Sequence, residues 1–266
     1  MDTVGFLVED LAPAATKVIQ AYQRWPNSGE SNQTGFNIEN DTSEPFYLEI
    51  AKDPERARRF GSAMRFMTQG SLYDIKHLIH GYPWGKLDET EGATVVDIGG
   101  GQGGVSIALA GATRNLRFIV QDLPGTADEG RRILPDHLHD RVTYMGHDFF
   151  QPQPITGAEV YFFRFILHNW SDKYAAQILR NLIPAMKPGS RVVIYEFLPH
   201  EVSDTAWSHK QARNLDMIQA LGWNSLERTV SDWRRLFSET SPGFKFAGAW
   251  TPTGSSVSLI EAVWTP

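Results

Sequence analysis

The 266-residue sequence contains no cysteine, and this absence excludes several kinds of chemistry at once. Disulfide bonds, cysteine nucleophiles and thiolate metal sites all need this side chain. A chain without disulfides is compatible with the reducing interior of the cell. We therefore expect a cytoplasmic protein whose reactive groups are not thiols.

The sequence also lacks an excess of positive charge. Its 25 lysines and arginines are outnumbered by 31 aspartates and glutamates, which gives a formal net charge of −6. Proteins that bind nucleic acids through the phosphates usually present a basic face. We therefore expect no nucleic-acid partner. No cluster of ligand residues suggests a metal site either.

Signals for secretion and for membrane insertion are missing as well. The N-terminal stretch MDTVGFLVEDLAPAATK carries acidic residues early and lacks a basic region followed by an apolar one, so it is not a signal peptide. The longest apolar run is interrupted by Arg164 and is shorter than the roughly 20 residues that cross a bilayer. We expect no membrane partner.

Two patterns divide the sequence that is present. Residues 1–90 predict a helical and irregular lead-in segment, in which Asp53 and Pro54 are typical of a helix N-cap and the first helical position. From residue 91 to 266, short apolar runs alternate with helical stretches, which predicts an α/β domain with a mostly parallel sheet. The last two runs, FKFAGAW and SSVSLIEAVW, predict an antiparallel β-hairpin at one edge.

Ligands of open α/β sheets bind beyond the carboxyl ends of the strands. The residues to inspect are therefore those at the predicted strand ends: Asp97, Asp122, Asp148, His168 and Glu196.

A glycine-rich turn follows the first predicted strand. The stretch from Gly99 to Gly104 satisfies G-x-G-x-x-G, and such a turn lets a ligand approach the backbone closely. Asp122, at the end of the next strand, could accept hydrogen bonds from both ribose hydroxyls of a nucleotide cofactor. A tight strand–helix turn and a turn-forming aspartate before Leu-Pro are the structural alternatives.

Asp97 favours one nucleotide cofactor over another. NAD and S-adenosylmethionine both fit a glycine-rich turn followed by an acidic strand end. NAD brings the negative charge of its pyrophosphate, whereas S-adenosylmethionine carries an ammonium and a sulfonium. A carboxylate two residues before Gly99 suits the second cofactor better.

Two further positions could contact such a cofactor. Asp148 could accept a hydrogen bond from an adenine amino group, and Phe149 could pack against the ring, although a turn cap beside a core phenylalanine fits equally. Arg164 lies inside an apolar strand, so it should be paired with a cofactor carboxylate, with the acidic strand ends or in a structural ion pair.

His168 is the candidate general base. It follows the central predicted strand VYFFRFIL, and histidine is the side chain best suited to accept a proton near neutral pH. Glu196 ends the next strand, and Glu227 lies in the segment SLERT. Either carboxylate could orient the imidazole and stabilise its protonated form, and Glu227 could instead cap a helix.

Together these residues resemble a known family. The motifs VVDIGGGQGG, VQDLPG, GHDFF, RFILHNWSD, VVIYEFLPHE and LERT, in this order, resemble the S-adenosylmethionine-dependent O-methyltransferases of the caffeic-acid type, and the fungal secondary-metabolism branch most of all. The resemblance implies a class I methyltransferase fold, S-adenosylmethionine as cofactor, and a small acceptor, aromatic or polyketide-type, with a hydroxyl to be methylated.

The resemblance also implies roles for single residues. The cofactor would be held by Gly99 and Gly101 at its methionine part, by Asp122 at the ribose, and by Asp148, Phe149 and Trp170 at the adenine. His168 would be the base, flanked by Glu196 and Glu227. Arg164 and Asn169 stand where relatives often have lysine and aspartate, and Met64 and Met67 fall where the family lines its acceptor pocket.

One departure affects the expected partners. Family members carry a further N-terminal helical region that forms an interlocked dimer, whereas here only a short helical segment precedes the cofactor domain. We therefore expect a homodimer that is weakened or absent if that region is missing. Three alternatives stay open: a rearrangement catalyst that keeps the cofactor without methyl transfer, a non-catalytic short form, and an NAD-dependent oxidoreductase.

Overall fold

The computed structural model of the protein describes residues 1–201 and 207–266. Within this part of the chain, residue contacts define two compact units, each built from separated stretches of sequence. We call them the helical unit (Met1–Tyr73, Leu167–Ala175 and Leu198–Thr229) and the sheet unit (Asp74–Ile166, Ala176–Phe197 and Val230–Pro266). The division at residues 90 and 91 that the sequence suggests stays a prediction.

The described residues form the following helices and strands. The α-helices are α1 (Asp2–Gly5), α2 (Ala12–Ala15), α3 (Val18–Arg24), α4 (Gly35–Glu39), α5 (Phe46–Ile50), α6 (Pro54–Met67), α7 (Lys76–Gly81), α8 (Trp84–Asp88), α9 (Gly104–Ala112), α10 (Pro124–Ile133), α11 (Asp172–Leu182), α12 (Trp207–Trp223) and α13 (Val230–Thr240). A π-helical segment, Phe6–Leu11, joins α1 to α2. The strands are β1 (Thr94–Ile98), β2 (Arg117–Asp122), β3 (Val142–Gly146), β4 (Val160–Arg164), β5 (Arg191–Glu196), β6 (Phe244–Trp250) and β7 (Ser258–Trp264).

The helical unit is packed around an apolar cluster rich in aromatic rings. Phe6, Phe36, Phe46 and Trp223 are buried together in this cluster. Helix α6 packs onto it and begins as the sequence predicts, because the Asp53 carboxylate accepts hydrogen bonds from the first free backbone N–H groups of the helix. Burial of these large rings gives the unit a core of its own.

The sheet unit contains one seven-stranded sheet in the order β3-β2-β1-β4-β5-β7-β6. Neighbouring strands from β3 to β5 are parallel, whereas β7 is antiparallel to both β5 and β6. The mostly parallel sheet with a C-terminal antiparallel pair is therefore confirmed. The first four residues of β4 are fully buried, as expected for a central strand covered on both faces.

The chain leaves β4 earlier than the sequence suggests. The expectation that the strand runs on to His168 is wrong, because β4 ends at Arg164 and Phe165 adopts a left-handed backbone conformation with φ of 53°. A 3₁₀ turn, Leu167–Asn169, then carries His168, and α11 starts at Asp172. His168 consequently lies on a 3₁₀ turn and not on a strand.

Candidate active site

The glycine-rich turn between β1 and α9 forms an open cradle in the sheet unit. Gly101 has φ of 59°, and a Cβ atom added to it would meet nothing within 4 Å. Its N–H donates to Oδ2 of Asp122 over 2.9 Å, and the N–H of Leu123 donates to Oδ1 over 2.8 Å. The carboxylate at the end of β2 is thus fixed beside the turn, where its remaining lone pairs could accept ribose hydroxyls.

Gly99 is closely covered on the other side of the same turn. A Cβ atom on Gly99 would lie 2.5 Å from Cδ1 of Ile166 and 3.9 Å from the ring of Phe149. Phe149 therefore lies against the turn, and its contact with the cofactor stays a prediction. Asp148 accepts a hydrogen bond from the N–H of Phe150 over 2.9 Å, so it caps its own turn.

Tyr144 on β3 supports the turn from below. Its hydroxyl donates to the carbonyl of Gln102 over 2.9 Å. A Cβ atom on Gly103 would lie 2.3 Å from the same hydroxyl oxygen, so ring and turn are in direct contact. We infer that Tyr144 fixes the shape of the cradle.

Removing this hydroxyl tests that role. We expect Tyr144→Phe to weaken cofactor binding by about 3- to 10-fold, because one net hydrogen bond on the turn is lost. Isothermal titration calorimetry with S-adenosylhomocysteine would measure the change. Tyr161→Phe is the matched control, since the Tyr161 hydroxyl binds the carbonyls of Ile155 and Ala185 in the same unit. Equal affinities for both variants would show that the hydroxyl of Tyr144 does not shape the cradle.

Asp97, at the end of β1, is buried beside the turn and has a raised pKa. Only 2% of it is exposed, and Ser106 donates to its Oδ2 over 2.7 Å. Burial raises the pKa of Asp97 to about 6, although Ser106 and Arg164 oppose the increase. The Nε atom of Arg164 is buried and makes no hydrogen bond within the described residues, and burial lowers the pKa of this arginine. A buried carboxylate of this kind favours a ligand that brings positive charge.

The candidate base and one of its expected partners meet in the helical unit. Nδ1 of His168 lies 2.8 Å from Oε1 of Glu227. Both residues are buried: 8% of His168 and 3% of Glu227 is exposed. A carboxylate acceptor beside Nδ1 favours the neutral tautomer that carries its proton on Nδ1 and its lone pair on Nε2. This is the geometry of a general base held by a carboxylate.

Glu196, the other carboxylate expected beside His168, is seen to bind the backbone. It is fully buried at the end of β5, and its Oε1 accepts a hydrogen bond from the N–H of Ile166 over 2.9 Å. This bond follows directly after the left-handed residue Phe165. Glu196 therefore fixes the chain where it leaves β4 toward His168, and its expected contact with the imidazole stays a prediction.

The other expected residues are distributed over the two units. Trp170 lies in the helical unit, where its ring contacts Tyr174 with centroids 5.9 Å apart. Met64 packs against the apolar core of that unit, which accounts for it without an acceptor, and Met67 is half-buried at the end of α6. Their contacts with cofactor and acceptor stay predictions.

Residues 1–201 and 207–266 contain neither a metal-binding cluster nor a membrane-spanning helix. No group of three or more histidine, aspartate or glutamate side chains there is arranged to hold a metal ion. Among the helices that the structure describes, none is long and apolar enough to cross a membrane.

Comparison with known protein families identifies the family of this chain. A model of the O-methyltransferase domain matches residues 40–245, which is most of the chain. The chain belongs to this O-methyltransferase family. Relatives include a chlorophenol O-methyltransferase of Trichoderma longibrachiatum, 43% identical over 98% of this chain, and the grayanic acid biosynthesis cluster O-methyltransferase of Cladonia grayi, 41% identical over 98%. The chain spans only 57% of the length of each of these two relatives.

Solved structures agree with the family assignment. LepI in complex with SAM is 26% identical, with a TM-score of 0.79 over all of this chain and 67% of that one. The mitomycin 7-O-methyltransferase MmcR is also 26% identical, with a TM-score of 0.76 over 95% of this chain and 68% of that one. The fold is thus that of the class I methyltransferases.

S-adenosylmethionine is the cofactor that this O-methyltransferase family indicates, and the residues of the sheet unit fit it. The cradle at Gly101 has room for a ligand, and Asp122 is placed to meet hydroxyls there. The buried carboxylate of Asp97 provides the negative charge that an ammonium or a sulfonium favours.

Three residues that support the candidate site were not singled out from the sequence. Tyr144 supports the glycine turn, Ser225 donates to the carbonyl of His168 over 2.7 Å, and Arg228 contacts the turn that carries His168. Arg228 stands beside Glu227 in LERT, so the motif itself contained the signal. Tyr144 and Ser225 act through contacts between distant segments, which no local pattern indicates.

Proposed function

We propose that the chain carries the catalytic part of an S-adenosylmethionine-dependent O-methyltransferase that methylates a hydroxyl, most simply a phenolic one, of a small aromatic or polyketide-type metabolite. The observation that carries this proposal is the buried contact of 2.8 Å between Nδ1 of His168 and Oε1 of Glu227. A chlorophenol O-methyltransferase that is 43% identical supports a phenolic acceptor.

Bound S-adenosylmethionine supplies an activated methyl group, so the chain must position the acceptor and remove its proton. A phenol has a pKa of about 10 and is mostly protonated at neutral pH. Nε2 of His168 would accept the hydroxyl proton as the oxygen takes the methyl group, and S-adenosylhomocysteine would leave with the electron pair of the broken carbon–sulfur bond. The carboxylate of Glu227 stabilises the imidazolium that forms, because Nδ1 already donates to it.

Glu227 is held for this role by its own surroundings. Its N–H donates to Oδ1 of Asp216 over 3.0 Å, which fixes its backbone. Its Oε2 is buried and makes no hydrogen bond within residues 1–201 and 207–266. A buried carboxylate attracts a positive imidazolium more strongly than an exposed one does, because buried charges are screened less.

A rearrangement without methyl transfer is the second candidate. A solved structure described as a pericyclic reaction enzyme is 27% identical, with a TM-score of 0.79 over all of this chain. The relatives at 43% and 41% identity are named as O-methyltransferases, which favours methylation. Self-association as a homodimer and a cytoplasmic location also remain proposals.

Cofactor titration followed by transfer assays tests the proposed function. We expect micromolar binding of S-adenosylmethionine and S-adenosylhomocysteine and no binding of NAD by calorimetry. We then expect transfer of a labelled methyl group to members of a panel of phenols, with the corresponding methyl ethers as inert controls. Cofactor binding with no transfer to any phenol would favour the rearrangement, and binding of NAD alone would exclude both.

A further inference from the structure

Arg228 is a fully buried arginine immediately after Glu227. Its side chain is 0% exposed. Arginine is almost never buried unless its N–H groups are paired, because removing a guanidinium from water is strongly unfavourable. The partners of Arg228 therefore indicate what this burial achieves.

The guanidinium makes three hydrogen bonds to one short segment of the helical unit. Nη1 donates to the carbonyl of Leu167 over 2.8 Å, Nη2 to the carbonyl of Trp170 over 2.7 Å, and Nε to Oδ1 of Asp172 over 2.8 Å. All three acceptors lie between residues 167 and 172. The planar fork of an arginine can hold such a set of acceptors in fixed directions, whereas the single ammonium of a lysine cannot.

His168 lies inside the segment that Arg228 holds. Leu167–Asn169 is the 3₁₀ turn, and Asp172 is the first residue of α11, so the guanidinium ties the turn to the start of the helix. Ser225 adds a fourth bond, from its Oγ to the carbonyl of His168 over 2.7 Å. The backbone on both sides of the candidate base is therefore anchored.

The same stretch, residues 225–228, also holds the imidazole ring. Glu227 accepts from Nδ1 over 2.8 Å, while its neighbour Arg228 fixes the turn from which the ring projects. If the turn shifted relative to Glu227, the ring would lose the partner that fixes its tautomer. We propose that Arg228 is a positioning residue for His168, a role that rests on the proposed function of His168 as the base.

Replacing the guanidinium of Arg228 by the ammonium of a lysine keeps the positive charge and tests the proposal. In Arg228→Lys we expect kcat for a phenol to fall by about 10- to 100-fold, since a misplacement near 1 Å is enough for such a loss. The affinity for S-adenosylhomocysteine should fall less than kcat does, because Arg228 bonds to the segment that carries His168, whereas the cradle is formed by the turn after β1.

Arg141→Lys is the matched control. Arg141 also donates to two backbone carbonyls, those of Ala110 and Thr113, but in the sheet unit. A role in folding alone predicts that both variants lower the melting temperature and that neither lowers kcat. A role in positioning predicts a loss of kcat in Arg228→Lys only.

A spectroscopic readout makes the test independent of any acceptor. The chain has 8 histidines, and His168 can be assigned in long-range ¹H–¹⁵N spectra by its absence in His168→Gln. At a pH where the ring is neutral, the wild type should show a protonated Nδ1, and Arg228→Lys should show a mixture of the two tautomers. This comparison remains informative even if no phenol is methylated.

Two milder variants cover the case in which Arg228→Lys fails to fold. Asp172→Ala and Ser225→Ala each remove one contact of the anchored segment and keep the guanidinium, and the Asp172 side chain is 40% exposed. Both should shift the tautomer signal of His168 in the same direction by a smaller amount. An unchanged tautomer in every variant that folds would overturn the proposal.

Discussion

His168→Ala is expected to lower kcat for methyl transfer to an ordinary phenol by about 10²- to 10⁴-fold, which is the usual contribution of a general base. The reason is that Nε2, the proton acceptor left by the Nδ1–Glu227 hydrogen bond, is removed. Cofactor affinity should change much less than kcat, because the cradle is formed by the turn after β1 and its bond to Asp122, and the imidazole is not part of it. Single-turnover assays with labelled cofactor and calorimetry would measure the two quantities separately.

The acidity of the acceptor distinguishes a base from a residue that only binds. A phenol carrying electron-withdrawing substituents is already ionised at the assay pH and needs no base. The loss caused by His168→Ala should therefore shrink strongly for such an acceptor. For an ordinary phenol, the rate of the variant should rise about tenfold per pH unit below the pKa of the phenol, near 10.

His139→Ala is the control for this series, because the imidazole of His139 is 56% exposed and lies in the sheet unit. It should leave both rates as in the wild type. An equal loss for acidic and ordinary phenols in His168→Ala would mean that His168 holds the acceptor and does not remove its proton.

Local pattern was sufficient to predict most of the sheet. The apolar runs and glycine signals gave the parallel strands, the C-terminal antiparallel pair and the N-cap at Asp53. The end of β4 was predicted wrongly, because the three apolar residues that follow Arg164 in VYFFRFIL look like a continuation of the strand. Phe165 is driven into a left-handed conformation by distant contacts: its N–H reaches the carbonyl of Tyr195, and Glu196 binds the next N–H.

Local sequence patterns also could not predict which segments form the helical unit. Leu198–Thr229 and Leu167–Ala175 join the N-terminal residues in space although they flank strands of the sheet in sequence. The buried pairing of α12 with the N-terminal core, seen in Trp223 beside Phe46 with ring centroids 4.5 Å apart, depends on apolar faces rather than on any motif. The contacts of Arg228 with the His168 turn have the same long-range origin.

Asp97→Asn is expected to stabilise the protein without cofactor and to weaken cofactor binding. In the folded chain, burial raises the pKa of Asp97 from 3.8 to about 6. The native state therefore binds more protons than the unfolded state between pH 4 and 6, and stability falls as pH rises through that range. Above pH 6 the ionised carboxylate destabilises the fold by roughly 3 kcal/mol.

An asparagine resembles the protonated acid in shape and can still accept the hydrogen bond of Ser106. Urea unfolding without cofactor should thus show Asp97→Asn to be more stable than the wild type by roughly 3 kcal/mol at pH 8. The difference should shrink to about half at pH 5, where most of the native Asp97 is already protonated. Asp136→Asn is the control, because the side chain of Asp136 is fully exposed.

Whereas Asp97→Asn should raise stability, it should lower cofactor affinity, because the buried negative charge that it removes is the group that a cationic ligand stabilises. In the wild type we expect the affinity for S-adenosylmethionine to fall as pH decreases from 7 to 5, since Asp97 becomes neutral with a pKa of about 6. In Asp97→Asn the affinity at pH 7 should be at least about tenfold weaker and independent of pH in this range. A variant that gains stability yet binds the cofactor as tightly as the wild type would show that the charge of Asp97 serves neither folding nor binding. A variant that loses both would show instead that the carboxylate holds the glycine turn through its contact with Ser106.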